Sequence, residues 1–137
     1  MPGLLLIAHA PLATALQAVA EHTYPDCSRQ LMALDVLPNQ SCEFVETAAR
    51  ALISSGSQEE WLVFSDVPGA TPHNAALRLL DAAGKVRLVS GLSAPMLWRS
   101  LCYGHLSVAQ LAERAAEGGR RGIEIFIHPE TPTTTSS

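Results

Sequence analysis

Apolar residues come in short blocks along this chain, separated by stretches in which they recur every three or four positions. Leu4–Ala8 and Trp61–Phe64 are continuous apolar runs; Met32–Val36 and Val86–Val89 are broken only by Asp35 and Arg87. Such runs predict strands covered on both faces, as in a parallel sheet. Helical spacing lies between them: Leu12, Leu16 and Val19 share one face, Phe44, Ala48 and Leu52 another, and Ala76, Leu80 and Ala83 a third. A short helix is expected at Pro95, with Ser93 or Ala94 just ahead of it. Ser107 suits the cap of a later helix carrying Val108, Leu111, Ala112 and Ala115, which Gly118-Gly119 should end. Strand and helix thus alternate, the grammar of an open α/β sheet with helices on both faces and right-handed crossovers.

The last segment breaks the pattern. From Gly122 to His128, Ile123, Ile125 and Ile127 alternate with Glu124, Phe126 and His128, so a single covered face is expected, as in an antiparallel edge strand. Phe126, on the polar side, reads equally as part of a partner surface or as one exposed aromatic. The fold class expected is therefore a mostly parallel four-stranded sheet plus this C-terminal edge strand. Residues 1–128 form one domain on this reading, and 129–137 a mobile polar tail.

Composition narrows the function. The 137 residues suit one domain and 47% of them are hydrophobic, but only 5% are aromatic, so the core is built from aliphatic side chains and alanine. A net charge of -4, with Lys85 the only lysine, argues against nucleic-acid binding. There is neither an apolar run of membrane-spanning length nor a signal-peptide pattern, and a cytoplasmic protein without membrane insertion is expected. Cys27, Cys42 and Cys102 are odd in number and widely spaced, which reads as three reduced thiols.

Chemistry belongs at the carboxyl ends of parallel strands, where the winding reverses. Three unusual loops lie there: Ala8-His9-Ala10-Pro11, Ser65 to Asn74, and Ser90 to Pro95. If the winding reverses between the first and third strands, His9 and Asp66 become neighbours. A carboxylate on one ring nitrogen fixes the tautomer and leaves the other as an outward nucleophile. Pro11 and Pro72 suit first helical turns, and Thr71 suits the cap of the third helix, so free N–H groups would be available to an anion. The same residues also read as a solvated loop histidine, a turn aspartate and a turn glycine, Gly69. His73 reads as exposed, and His22, His105 and His128 as surface residues. A metal site from His9, Asp66 and His73 lacks any ligand spacing such as HExxH, and none is assigned. GxSxG, GxGxxG and GxxxxGK[ST] motifs are missing, against serine-hydrolase, dinucleotide and P-loop sites.

Three stretches together carry a family resemblance: LLLIAHAPLATAL, WLVFSDVPGATPHNAA and VRLVSGLSAPML. The chain resembles the mannose-type enzyme IIA domain of the bacterial phosphoenolpyruvate-dependent sugar phosphotransferase system, from about Gly3 to Ile127. The resemblance implies that His9 is phosphorylated, that Asp66 orients its ring, and that Thr71 with main-chain amides around Gly69 and Ala70 stabilises the phosphate. It also implies a cycle from phospho-HPr to a IIB protein, no cofactor, and a homodimer that exchanges the last strand. The chain departs from the family pattern at Ala8, Ala10, Val67-Pro68, Ala70 and Ser93-Ala94. Other readings of the same fold are a regulatory module reporting phosphorylation state to a kinase or transcription factor, the related subunit serving dihydroxyacetone kinase, and a nucleotide- or flavin-binding domain.

Overall fold

The computed structural model describes residues 1–132, so part of the expected tail, residues 133–137, lies outside the described residues. Its elements run β1 (Gly3–His9), α1 (Leu12–Thr23), β2 (Leu31–Val36), α2 (Cys42–Ser55), β3 (Trp61–Ser65), α3 (Thr71–Leu77), β4 (Val86–Val89), α4 (Ala94–Trp98) and α5 (Val108–Arg121). The four strands form one all-parallel sheet in the order β2-β1-β3-β4.

Strand alternation sorts the core into two layers. Leu6, Ala8, Leu62 and Phe64 face α1, α4 and α5, where they pack with Ala13, Ala20, Met96, Leu97, Leu111 and Ala115. Leu5, Ile7, Trp61 and Val63 face α2 and α3, meeting Val45, Ala49, Ala75, Ala76 and Leu79. All five residues of β3 are buried, which explains its unbroken apolar run. Each large aliphatic or aromatic side chain so buried contributes about 1.5–3 kcal/mol.

Several helix faces differ from the periodicity reading. In α2 the buried residues are Val45 and Ala49, and Phe44 is exposed. In α1 they are Ala13 and Ala20, with Leu12 and Val19 exposed. α3 stops at Leu77, and Leu80 is exposed. Ser107 does cap α5, in a reciprocal capping box with Gln110, and Ser93 caps α4. Gly118-Gly119 does not end α5, which continues to Arg121. These glycines admit α4 instead: a Cβ on Gly118 would lie 2.3 Å from Arg99 Cγ and 3.1 Å from the Pro95 carbonyl oxygen.

One further expectation is not met within the single chain, and another is corrected. Gly122–His128 forms no strand in the single chain: Ile123, Ile125, Phe126 and Ile127 are strongly exposed, and among the described residues nothing pairs with the outer edge of β4. Cys27 and Cys102 are joined in a disulfide, while Cys42 is free. Sequence spacing concealed that pair because the fold, not the local chain, brings their two connections together. Among the described residues no helix is long and apolar enough to cross a membrane.

Candidate functional site

The winding reverses between β1 and β3. From β1 the chain enters α1 on one face of the sheet, and from β3 it enters α3 on the other. The crevice between the two departures opens at the carboxyl ends of both strands. His9 is the last residue of β1, and Asp66 follows the last residue of β3.

The two side chains meet. His9 Nδ1 lies 2.7 Å from Asp66 Oδ2. The same oxygen accepts the main-chain N–H of His9 at 2.9 Å, and Oδ1 accepts the N–H of Val67 at 2.8 Å. Burial raises the pKa of Asp66, but the hydrogen bonds from the His9 main chain, the His9 ring and Val67, with the charge of that ring when protonated, outweigh it; the carboxyl is held below the ordinary aspartate range. Asp66 is therefore an acceptor only at neutral pH, and the hydrogen bond requires that Nδ1 carry the proton. Nε2 is left with a lone pair. The imidazole is 52% exposed and the carboxylate only 8%, so a fixed anion lies behind an accessible nucleophile.

The surroundings fix both partners. Ala10 donates its N–H to the Val36 carbonyl, continuing the β1–β2 pairing just past His9. Asp35, the polar interruption of β2, accepts the Thr14 N–H at 3.1 Å and its hydroxyl at 2.6 Å. It thereby serves as a tertiary cap for α1, whose own cap position, Pro11, makes no side-chain hydrogen bond. Behind Asp66, the Gly91 N–H donates to its carbonyl, and Leu92 donates to that of Ser65. Gly91 has φ +78°, a left-handed conformation that suits glycine.

Asp66, Gly69 and Ala70 share the one loop from β3 into α3, and Thr71 opens that helix. Gly69 has φ +89° and open space around its Cα, so the backbone angle accounts for the glycine. Ala70 donates to Val67, and the Asn74 side chain donates to the Gly69 carbonyl, closing the turn. Ala70, not Thr71, occupies the cap position of α3; Thr71 is its first residue and is half-buried, with Pro72 buried next to it. The reason is register: the helix starts one residue earlier than the hydroxyl-before-proline pattern suggests. His73, expected to be exposed, is half-buried, and its Nδ1 is 2.9 Å from the hydroxyl of fully buried Ser65. Sequence reasoning also passed over Thr14 and Asp35 as a pair, although a carboxylate inside an apolar strand was the available signal. His22, His105 and His128 are exposed as expected.

A solvent-facing imidazole with one nitrogen tied to a carboxylate suits nucleophilic exchange of a small electrophilic group. Comparison with known proteins agrees with this setting. The chain is 25% identical, over 128 residues covering 93% of each sequence, to the sorbose-specific EIIA component of the phosphotransferase system (PTS) of Klebsiella pneumoniae. Its fold is similar to that of the mannose/sorbose specific IIA subunit from Enterococcus faecalis, at TM-score 0.83 and 20% identity, covering 96% of this chain and 98% of that one. The phosphotransferase system component EIIA from Streptococcus agalactiae is similar at TM-score 0.81 and 20% identity, covering 91% and 97%. The family model described as the PTS system fructose IIA component matches residues 3–115, and the chain belongs to that family of sugar phosphotransferase IIA components.

Proposed function

We propose that this protein is a phosphoryl carrier in which His9 accepts phosphate from phospho-HPr and passes it to a IIB protein. One observation carries the reading: Nδ1 of a half-exposed His9 is 2.7 Å from the carboxylate of nearly buried Asp66. The Nε2 lone pair attacks phosphorus, the N–P bond of the donor breaks, and its electron pair stays on the donor imidazole. The new phosphoimidazole still carries its Nδ1 proton and is positively charged. The Asp66 carboxylate, already desolvated and held as an anion, stabilises that charge without having to reorganise.

Phosphoryl transfer asks little covalent chemistry of a protein beyond alignment and charge stabilisation. Thr71, in the first turn of α3, and the main-chain amides of Gly69 and Thr71 on either side of Ala70, whose own N–H is given to Val67, are assigned to the phosphate oxygens. The loop that holds them begins at Asp66, which supports this assignment. No cofactor takes part in this cycle, and its components are cytoplasmic.

The carrier works as a homodimer on this reading. Among the described residues β4 is the last strand of the sheet and pairs only with β3. Beside it runs a groove of about 510 Å³, lined by Leu88, Val89, Met96, Ala112 and Ile123 among others. An Ile123–Ile127 segment from a second copy has the alternation to pair with that open edge and cover the groove.

The test of the carrier function is direct. Incubated with phosphoenolpyruvate, enzyme I and HPr, the protein should acquire an acid-labile phosphate, and His9→Ala should acquire none. Labelling that persists in the variant would reassign the acceptor.

A further inference from the structure

Cys27 lies in the connection between α1 and β2, Cys102 in the connection between α4 and α5, and 75 positions separate them. The fold brings their Cα atoms to 5.0 Å and joins the sulfurs. Next to the bond the rings of Tyr24 and Trp98 meet edge to face, with centroids 5.9 Å apart. The trailing ends of α1 and α4 are therefore fastened twice, once by an aromatic contact and once covalently. Both helices lead away from the His9–Asp66 crevice: α1 starts just after His9, and the loop into α4 is bonded to the Asp66 carbonyl through Gly91.

The position is open to reagents. Cys102 is exposed, with φ +65° in a tight turn, and a cleft of about 280 Å³ is walled by both cysteines together with Met1, Arg29 and Gly104. Cys42 packs against the core layer on the other face of the sheet, so it is no competing partner for either sulfur. A reducing compartment keeps such a pair as thiols until an oxidant arrives.

We propose that Cys27 and Cys102 are a reversible thiol-oxidation site, exchanged by small disulfides and thiols of the glutathione class, whose closed form clamps α1 onto the α4–α5 connection. To close it, one cysteine thiolate attacks a small disulfide, forming a mixed disulfide and releasing one small thiolate. The second cysteine thiolate then attacks the protein-side sulfur, forming the Cys27–Cys102 bond and releasing the other. Two protein thiols are oxidised, one small disulfide is reduced to two thiols, and the two cysteine protons end on those thiols. The assignment stands whether or not His9 carries phosphate.

The experiment equilibrates the full chain in oxidised or reduced glutathione, quenches with acid, alkylates, and maps the cysteines by mass spectrometry. In the oxidised buffer the Cys27 and Cys102 peptides should be recovered cross-linked while Cys42 is alkylated; in the reduced buffer all should be alkylated. Closing a loop of this length should raise the melting temperature by roughly 10 °C. The double variant Cys27→Ser, Cys102→Ser should melt alike in both buffers. Alkylation of Cys27 and Cys102 in the oxidised buffer, glutathione retained on either cysteine, or a wild-type melting temperature indifferent to buffer would each overturn the proposal.

Discussion

One oxygen of Asp66 holds His9 twice, through the ring at 2.7 Å and through the main chain at 2.9 Å. The main-chain bond sets where β1 ends relative to β3; the ring bond sets which nitrogen faces solvent. Asp66→Asn keeps a hydrogen-bonding group at the same place but removes the charge. The phosphorylated ring is then left without its counter-ion, which is worth about 1.5–3 kcal/mol for a charge-assisted bond. Transfer from phospho-HPr should slow by roughly 10- to 100-fold, with the circular dichroism spectrum unchanged. Wild-type kinetics in a rapid-quench assay would reduce Asp66 to a turn residue.

The same carboxylate makes a prediction for acid stability. Its pKa is lowered in the folded chain, so on acidification the unfolded chain takes up the proton first. Stability from this group is complete above the unfolded aspartate pKa, near 3.9, and is lost as pH falls through the lower folded value. Urea midpoints measured from pH 5 down to pH 3 should fall for the wild type. Asp66→Asn should fall less steeply over that window, and parallel curves would contradict the shift.

Much of this fold is legible before any coordinates, for a physical reason. Strands buried on both faces become apolar blocks, and β3 is such a block from Trp61 to Phe64. Loops at the carboxyl ends of those blocks then stand out, and His9 and Asp66 with them. Their contact depends on strand order, which the apolar blocks alone do not specify and which the adjacency of β1 and β3 supplies. Helix faces are less legible because small residues surround these helices. In α2, Ala48, Ala49 and Ala51 leave the periodicity nearly degenerate, and the buried face is Val45 and Ala49, not Phe44 and Ala48. The Ser65–His73 bond and the Cys27–Cys102 bond have no local signal, since each depends on segments meeting in space.

Asp35 and Thr14 illustrate a contact that a strand pattern hides. Asp35 closes the first turn of α1 from a neighbouring strand, with bonds of 3.1 and 2.6 Å. Asp35→Ala opens two donors to water at the exposed Thr14, and the loss of a cap of this kind costs about 1–2 kcal/mol. The melting temperature should drop by roughly 5 °C. Thr14→Val, which keeps the main-chain bond, should fall by about half as much. Equal effects would mean that the hydroxyl alone matters.

The adjacent glycines of α5 should respond differently to alanine. Alanine gains about 1 kcal/mol over glycine in a helix interior. At Gly118 the new methyl meets Arg99 Cβ at 2.5 Å and the fixed Pro95 carbonyl oxygen at 3.1 Å, so α4 must move. At Gly119 it meets chiefly the end of the flexible Met96 side chain, at 2.8 Å. Gly118→Ala should lose about 1–3 kcal/mol, whereas Gly119→Ala should stay within about 1 kcal/mol of wild type. Chemical denaturation of the two variants side by side measures the difference; equal losses would mean that α4 and α5 do not pack as closely as the structure has them.

Assembly offers the last test. Ile125 is 91% exposed in the single chain, so Ile125→Asp removes no contact within it. In the proposed homodimer the same side chain lies on the covered face of the added strand, where a carboxylate would be buried without a partner. Burying an unpaired charge costs far more than any single apolar contact contributes. The wild type should therefore elute and scatter as a dimer, and Ile125→Asp as a monomer with an unchanged circular dichroism spectrum. Glu124→Gln, on the opposite side of the alternation, should remain dimeric. A wild type that is monomeric at tens of micromolar, or an Ile125→Asp variant that stays dimeric, would remove strand exchange from the reading. The His9–Asp66 chemistry would be untouched, because both of its residues come from one chain.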